Sequence, residues 1–354
     1  MDIPMGGSMT TSVAIGQNLS AIVQEIQFGS ARAIHDQFSG DAAAESASML
    51  RSAAEETVER ARKGSTDALT ELHLALESIH RSYFAKPRPN ESWCNRKGIL
   101  DPVQAILEDF VIEYEDQWMD EGEIPFTDDP DQFVQQLKEA VRAHPANRHP
   151  FYIDFLPFKA GVADIRYYLA QETALDPRFD DFIALMQLGC DSQQKLELAG
   201  NYWDEMGNGN PAQVHTAMFE NAMREVGADP EFVRTHRLVE TLICGNLSAT
   251  LAVNPRFYYR SIGSFAVTEF LFPRRCAQLL EAWRRNNLSV RNGEYHKEHI
   301  GIDARHASGF FRNVIKPEIR KDPSATGDIY WGAIARMNSS QRYLDALLNE
   351  LVAC

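Results

Sequence analysis

Hydrophobic residues recur at helical spacing along nearly the whole chain. Ile22, Val23 and Ile26 fall on one helical face, and Leu72 and Leu76 do the same further along. Positions three or four apart lie on one side of an α-helix, so this pattern indicates amphipathic helices with a buried stripe. No alternating run bounded by tight-turn residues is long enough to indicate a β-strand. The sequence therefore predicts an all-α protein.

Two histidine–proline pairs, His144-Pro145 and His149-Pro150, interrupt the helical pattern. Proline does not fit a helix interior, so the pairs mark a break in the chain. We therefore expect a flexible N-terminus over residues 1–15, an N-terminal helical domain over 16–148 and a second domain over 149–354. The N-terminal domain carries no set of candidate ligands, and we expect it to pack against the second domain or to form a homodimer.

Proline and glycine positions divide the second domain into helical segments. The predicted helices cover residues 155–172, 179–206, 211–226, 230–252, 262–286, 291–313 and 329–352.

The charge and the cysteine usage exclude several classes of function. The formal net charge is −15, and the basic stripe that phosphate binding requires is missing. No apolar run approaches the roughly 18 residues of a membrane span. The five cysteines are scattered and form no C-x-x-C pair, which is typical of reduced thiols in a cytoplasmic protein. We expect a cytoplasmic protein that binds neither nucleic acid nor a membrane.

Two histidines and an aspartate share one face of a predicted helix. At about 100° per residue, Asp303 lies about 40° from His299, and His306 lies about 20° to the other side. Imidazole and carboxylate groups suit a first-row metal such as iron, manganese or zinc. A metal ion bound at this face needs further ligands from other parts of the chain.

Two glutamates on apolar helical stretches could complete such a site. Glu269 is a lone carboxylate between Phe265 and Phe272, where burial without a partner would be costly. Glu172 ends a helix of similar character, although a glutamate near a helix end is also often solvated.

Glu205 and His215 can belong to one site only if the chain turns between them. In an unbroken helix, ten residues would separate them by about 15 Å. The intervening stretch, residues 207–211, contains two glycines and a proline, which can break the helix and fold the chain back. The alternative is that Glu205 is a surface acid and His215 an ordinary histidine at a helix start.

Together these residues form a set of four carboxylates and three imidazoles without cysteine: Glu172, Glu205, His215, Glu269, His299, Asp303 and His306. One metal ion cannot use seven such ligands, whereas two irons that share a bridging carboxylate can. Ferritin-like bundles use two Glu-x-x-His pairs, and this chain has one match, Glu77 with His80, in the first domain. The set therefore predicts a dinuclear site of another kind.

From about Tyr152 to Arg312 the chain resembles the haem-oxygenase-like di-iron oxidases and oxygenases. The resemblance rests on Glu172, the segment Asn201-Tyr-Trp-Asp-Glu-Met-Gly-Asn-Gly209 followed by His215, then Glu269, and the helix His299-x-x-x-Asp303-x-x-His306. It implies a seven-helix bundle like haem oxygenase that holds two irons instead of haem.

The resemblance also implies how the ligands are shared. One iron would have Glu172, His215 and His306, and the other would have Glu269, His299 and Asp303. Glu205 would bridge the two or close the site.

The ten-residue interval between Glu205 and His215, together with the preceding helical domain, resembles the N-oxygenating members. These include the streptozotocin-pathway enzyme and the lysine and aminoimidazole nitro-forming enzymes. The resemblance implies O₂-dependent oxidation of a nitrogen in a small amine, guanidine or amino-heterocycle to a hydroxylamine or nitro group, in natural-product biosynthesis. It leaves open whether a reductase or another external donor supplies electrons.

Two other interpretations compete with N-oxygenation. An oxidative C–C lyase acting on an amino acid or fatty acid would use the same scaffold. A haem-binding or non-catalytic helical protein is the third, although haem oxygenases use a G-x-x-x-G helix and no two glycines here are four apart.

Candidate substrate residues lie 9 to 13 residues before Glu269. Arg256, Tyr258, Tyr259 and Arg260 are suited to binding a carboxylate or stacking on an aromatic ring. An ordinary loop followed by the start of a helix would account for these residues equally well.

Overall fold

The computed structural model describes residues 18–28, 41–86, 88–89, 96–119 and 127–353. Helices form most of this part of the chain, and none of the residues it describes lies in a strand. The all-α prediction is therefore confirmed. The N-terminus over residues 1–15, which we expected to be flexible, lies outside the described residues.

The N-terminal part of the chain contains amphipathic helices. They are α1 (Leu19–Phe28), α2 (Asp41–Arg62), α3 (Thr66–Phe84) and α4 (Asp101–Asp116). Ser65 caps α3, because its hydroxyl accepts a hydrogen bond from the backbone N–H of Ala68 at 3.3 Å. Leu72 and Leu76, which form the predicted apolar stripe of α3, are both buried.

The remaining helices carry all the candidate ligands. They are α5 (Pro130–Ala143), α6 (Val162–Glu172), α7 (Phe179–Met186), α8 (Ser192–Glu205), α9 (His215–Val226), α10 (Pro230–His236), α11 (Val239–Val253), α12 (Tyr258–Arg285), α13 (Glu294–Gly309), α14 (Lys316–Lys321) and α15 (Ala325–Ala353). None of these helices, nor any other in the described ranges, is long and apolar enough to cross a membrane.

The chain divides into two compact units between Val111 and Ile112, within α4. The boundary expected from the sequence, at 148–149, lies beyond α5. Helix α5 belongs to the second unit because it packs against α14 and α15, and its Asp131 pairs with Lys316 of α14.

Several predicted helices are divided by turns. The helix expected over residues 179–206 is two helices, α7 and α8, because the chain turns at Gly189 with a left-handed φ of 81°. The helix expected over residues 230–252 is likewise divided at Arg237, whose backbone is extended, into α10 and α11. Turns of this kind leave little trace in hydrophobic periodicity, which continues across them.

Two glycines allow α12 and α15 to cross with their backbones in contact. A methyl group on Gly263 of α12 would overlap the carbonyl oxygen of Ile329, and one on Gly332 of α15 would overlap that of Arg260. Without these side chains the two helices approach closely along much of their length. The crossing fixes the position of α12, which carries Glu269.

We expect Gly263→Ala and Gly332→Ala each to lower the free energy of unfolding by about 1–3 kcal/mol, because the added methyl meets backbone atoms that cannot rotate away. Chemical denaturation would measure the change. Gly327→Ala is the matched control, since it lies in the same helix as Gly332 and has open space around it. It should be neutral or stabilise by up to about 1 kcal/mol, and equal effects for all three variants would contradict the close crossing.

Candidate metal centre

The face of α13 that carries His299, Asp303 and His306 points into the second unit. All three side chains are buried, with at most 5% of their surface exposed. Charged or polar groups buried to this extent need partners, and here the nearest groups come from α8, α9 and α12.

The predicted turn between Glu205 and His215 is present. Gly207 has a φ of 59° and Asn208 a φ of 52°, so the backbone is left-handed directly after α8. Gly207 also lies against the backbone of Gln213, where a side chain would not fit. The chain therefore folds back sharply, and Glu205 Oε2 lies 2.6 Å from His215 Nδ1.

The ligand atoms form two groups of three. Glu205, His215 and His299 make one group, and Glu269, Asp303 and His306 make the other; within each group the ligand atoms lie within 4.8 Å of one another. All six residues are buried. Each group offers nitrogen and oxygen donors in a space suited to one metal ion.

This grouping differs from the one that the resemblance implied, because His299 and His306 exchange places. His299 is the most N-terminal ligand of α13, and its ring lies 4.4 Å from that of His215 at the start of α9. His306 lies two turns further on, with Nδ1 3.5 Å from Glu269 Oε2. The order of the turns along α13 therefore decides which group each histidine joins.

Glu172 lies apart from both groups of three. It lines the same cavity as Glu205, Glu269, His299 and Asp303, and its Oε1 accepts a hydrogen bond from the Tyr343 hydroxyl at 2.8 Å. Burial raises the pKa of its carboxyl group. Its predicted role as a ligand stays a prediction.

The donor atoms themselves fit metal ions. Asp303 Oδ1, His306 Nδ1 and His215 Nδ1 are buried, and none has a hydrogen-bond partner among the described residues. His215 Nδ1 is close to Glu205, but its orientation does not form a hydrogen bond. Buried polar atoms are almost always satisfied. One cation in each group would satisfy all three.

Neighbouring groups orient the two histidines of α13. His299 Nδ1 donates to the carbonyl oxygen of Tyr295 at 2.7 Å, which leaves Nε2 facing the first group. His306 Nε2 lies 3.0 Å from Asp204 Oδ2, which leaves Nδ1 facing Glu269. Hydrogen bonds of this type hold the imidazole ring and its tautomer in the orientation that a metal requires.

Asn201 and Asp204 are functional candidates that the sequence reading missed. The Asn201 amide donates to Glu269 Oε1 at 2.6 Å, and Asp204 holds His306. A signal was present, since Asn201, Asp204 and Glu205 stand three and four positions apart and share one helical face. The same spacing that indicates a metal face in α13 indicates a supporting face in α8.

Two buried carboxylates of the centre, Glu205 and Asp303, resist ionisation. Burial raises the pKa of Glu205, and the nearby charge of Glu269 adds to the effect. Burial also raises the pKa of Asp303 well above its usual range, with Glu269 and Glu205 as further causes. A bound divalent cation would reverse this balance by stabilising the ionised forms.

The pKa values of His299 and His306 on α13 shift in opposite directions. Burial lowers the pKa of His299 well below its usual range. For His306 burial acts in the same direction, but the neighbouring carboxylates of Glu269, Asp204 and Glu205 outweigh it and raise the pKa to about 9. Metal binding at His306 therefore has to displace a proton.

A small cavity of about 30 Å³ lies among these side chains. Its walls include Leu175, Phe179 and Phe272 on the apolar side. Two buried arginines, Arg275 and Arg336, line it beside Glu172 and offset part of the negative charge.

Asp176 is a further cavity residue that the sequence reading did not single out. Its Oδ2 is buried without a hydrogen-bond partner among the described residues. Burial and the charge of Glu172 raise its pKa well above the usual range. It follows α6 by four residues, in an Asp-Pro pair between the helices predicted over residues 155–172 and 179–206.

Residues 166–341 match the family model described as an iron-containing redox enzyme, a haem-oxygenase-like family. The matched segment is just under half of the chain and contains all seven candidate ligands. The all-α architecture agrees with a haem-oxygenase-like fold. No curated protein sequence matches the chain.

We expect Gly207→Ala to weaken iron binding by at least about ten-fold, because the change displaces His215 from Glu205. Competition with a ferrous chelator would measure the affinity. Gly200→Ala is the control, since it lies in α8 with open space around it. Unchanged iron affinity in Gly207→Ala would show that the turn does not assemble the first group.

Asp204→Asn tests the orientation of His306. The amide cannot supply the charge that holds the imidazole, so we expect iron affinity to fall by about 10–100-fold while the protein stays folded. Asp154→Asn removes a carboxylate from an exposed pair with Lys159 and serves as the control. Equal iron affinities in the two variants would exclude this role for Asp204.

Proposed function

We propose that this chain, whose residues 166–341 are similar to iron-containing redox enzymes, is a non-haem di-iron N-oxygenase. Its substrate would be a small amine, guanidine or amino-heterocycle, and its product a hydroxylamine or nitro compound. The family similarity supports an oxidoreductase, and the finer assignment is our proposal.

The pair of three-residue ligand groups carries the proposal, and four of the six residues, Glu205, Glu269, His299 and Asp303, line one cavity. Glu205, His215 and His299 would hold one iron, and Glu269, Asp303 and His306 the other. Histidine and carboxylate donors without a thiolate suit ferrous and ferric iron. Two ferrous ions bound here would supply electrons to O₂ and transfer oxygen to a nitrogen lone pair.

The turn after Glu205 gives one ligand freedom to move. Glu205 is the last residue of α8 and is followed by Gly207 and Gly209, which both have left-handed backbones. Hinge positions of this kind allow a side chain to shift without disturbing a helix. Glu205 would therefore open a coordination position, whereas Asp303 and His306 stay fixed within α13.

The cavity walls would exclude water from the reacting nitrogen. Leu175, Phe179 and Phe272 form an apolar surface, and the free volume of about 30 Å³ has room for only a few waters. A substrate therefore has to displace these side chains on entry or be very small. Exclusion of water protects reactive oxygen species from side reactions.

An amine reacts through its lone pair, so the site must accept a proton from an ammonium group. Asp176 Oδ2 lines the cavity and is buried without a partner among the described residues, which makes it the group that we assign to this step. Burial raises its pKa and favours the protonated form, so Asp176 would accept the proton only when bound cations stabilise its ionised form.

A second copy of the chain and an electron donor are the partners that we expect. The N-terminal helices would support a homodimer, and a reductase or another external reductant would return the irons to the ferrous state after turnover. The proposal places the enzyme in the cytoplasm, in natural-product biosynthesis.

Anaerobic loading with ferrous iron should give two irons per chain. On addition of O₂ with a panel of amines, guanidines and amino-heterocycles, mass spectrometry should find products that gain oxygen and lose no carbon. Glu205→Ala should reduce iron loading or product formation by at least about ten-fold. Glu220→Ala, an exposed change on α9, is the matched control.

Three results would overturn the proposal in distinct ways. Products that have lost carbon would indicate an oxidative C–C lyase. One iron per chain in the folded protein would contradict the two ligand groups. Full activity of Glu205→Ala would show that Glu205 takes no part in the site.

A further inference from the structure

A second cavity lies apart from the metal centre. It measures about 300 Å³, ten times the volume of the metal cavity, and shares no lining residue with it. The ends of α7 and α11 and the starts of α8 and α12 surround it, together with α14. Its size falls at the lower end of the range for small-molecule sites.

Aromatic side chains separate the two cavities. Along α12, Phe265 lies between Ser261 of the second cavity and Glu269 of the metal centre. Along α7, Phe182 lies between the metal cavity and the second cavity in the same way. The rings of Phe182 and Phe265 are fully buried and 5.6 Å apart. A ligand in the second cavity would therefore not touch the metal ligands.

Glu318 is a buried carboxylate in the wall of this cavity, with 4% of its surface exposed. It accepts hydrogen bonds from the side-chain amide of Gln194 and from the Tyr259 hydroxyl, the latter at 3.3 Å. It forms no salt bridge with any residue in the described ranges. A buried carboxylate with only neutral donors retains a strong preference for a cation.

The other charged groups of the cavity leave Glu318 uncompensated. Asp191 and Lys321 form an ion pair at 3.5 Å, and both side chains are mostly exposed, at 70% and 64%. Lys321 is close enough to feel the charge of Glu318, but its nearest carboxylate is that of Asp191. The lining residues therefore carry one net negative charge, and the buried part of it lies on Glu318.

The remaining walls suit an organic cation with an apolar body. The rings of Tyr258 and Tyr259 lie 5.5 Å apart in the cavity wall, and aromatic rings attract organic cations. Leu185 and Leu251 supply apolar surface. The Ser261 hydroxyl is buried and has no hydrogen-bond partner in the part of the chain that the structure describes, so it is available to an N–H donor.

We propose that this cavity is a binding site for a small organic monocation, a protonated amine or guanidine with a compact apolar body. The charged group pairs with Glu318, its remaining N–H donates to Ser261, and the body packs between Tyr258 and Leu251. The site is separate from the metal centre and binds its ligand without iron, so the proposal does not depend on the proposed reaction.

Phenethylammonium chloride and phenethyl alcohol are matched probes, since they share a body and differ in charge. Calorimetric titration of the iron-free full chain at pH 7 should show that the cation binds at least about ten-fold more tightly than the alcohol. Phenylguanidine should bind in the same affinity range as the amine. Glu318→Gln should abolish this preference, whereas Glu350→Gln, an exposed change on α15, should retain it.

Two further variants make the outcome decisive. Tyr258→Leu keeps an apolar wall but removes a ring, and should weaken amine binding several-fold even if Glu318→Gln fails to fold. Glu269→Ala alters only the metal centre and should leave amine binding unchanged. Equal affinities for amine and alcohol would overturn the proposal and show that Glu318 only ties α14 to α8. Loss of amine binding in Glu269→Ala would also overturn it, because the amine would then bind at the metal centre.

Discussion

The second unit buries a cluster of ionisable side chains that the surrounding protein groups do not fully stabilise. Six ionisable side chains from four helices lie close together, four of them around a cavity of about 30 Å³, and three of their donor atoms have no hydrogen-bond partner among the described residues. Burial pushes Asp303 toward its protonated form and His299 toward its neutral form, so burial disfavours the charged forms of these two groups. Divalent cations would turn this unfavourable cluster into a stabilised one, and metal binding would then contribute to folding.

Backbone geometry brings the ligands into range. Gly263 and Gly332 let α12 and α15 cross in contact, which fixes the helix that carries Glu269, and Gly207 reverses the chain so that His215 meets Glu205. Each of these glycines lies against another backbone segment rather than against a side chain. The metal centre therefore depends on glycines that are not metal ligands themselves and that leave no room for a larger residue.

The fold class and the candidate ligands were accessible from sequence because both depend on local spacing. Helical periodicity identified the all-α class, and the face of α13 followed from intervals of four and three residues. The division of the ligands between the two groups could not be predicted from the sequence, because it depends on how α9 and α12 pack against α13. For this reason His299 and His306 lie in the opposite groups from those that the resemblance implied. Asp176 was missed because an Asp-Pro pair looks like a helix break whether or not its carboxylate is buried.

Both cavities of the second unit place buried carboxylates where a cation can bind, but they suit different cations. In the metal centre, carboxylates from α8, α12 and α13 converge with histidines, and only compact divalent ions can reach all of them. In the second cavity a single carboxylate faces tyrosine rings and aliphatic walls across about 300 Å³, which leaves room for a cation with a body. Helix α12 contributes to both, with Tyr258 and Ser261 at its start and Glu269 near its middle. Because Phe265 is packed against Phe182 between them, a ligand at one site could influence the other by shifting the helices that line both, α7, α8 and α12.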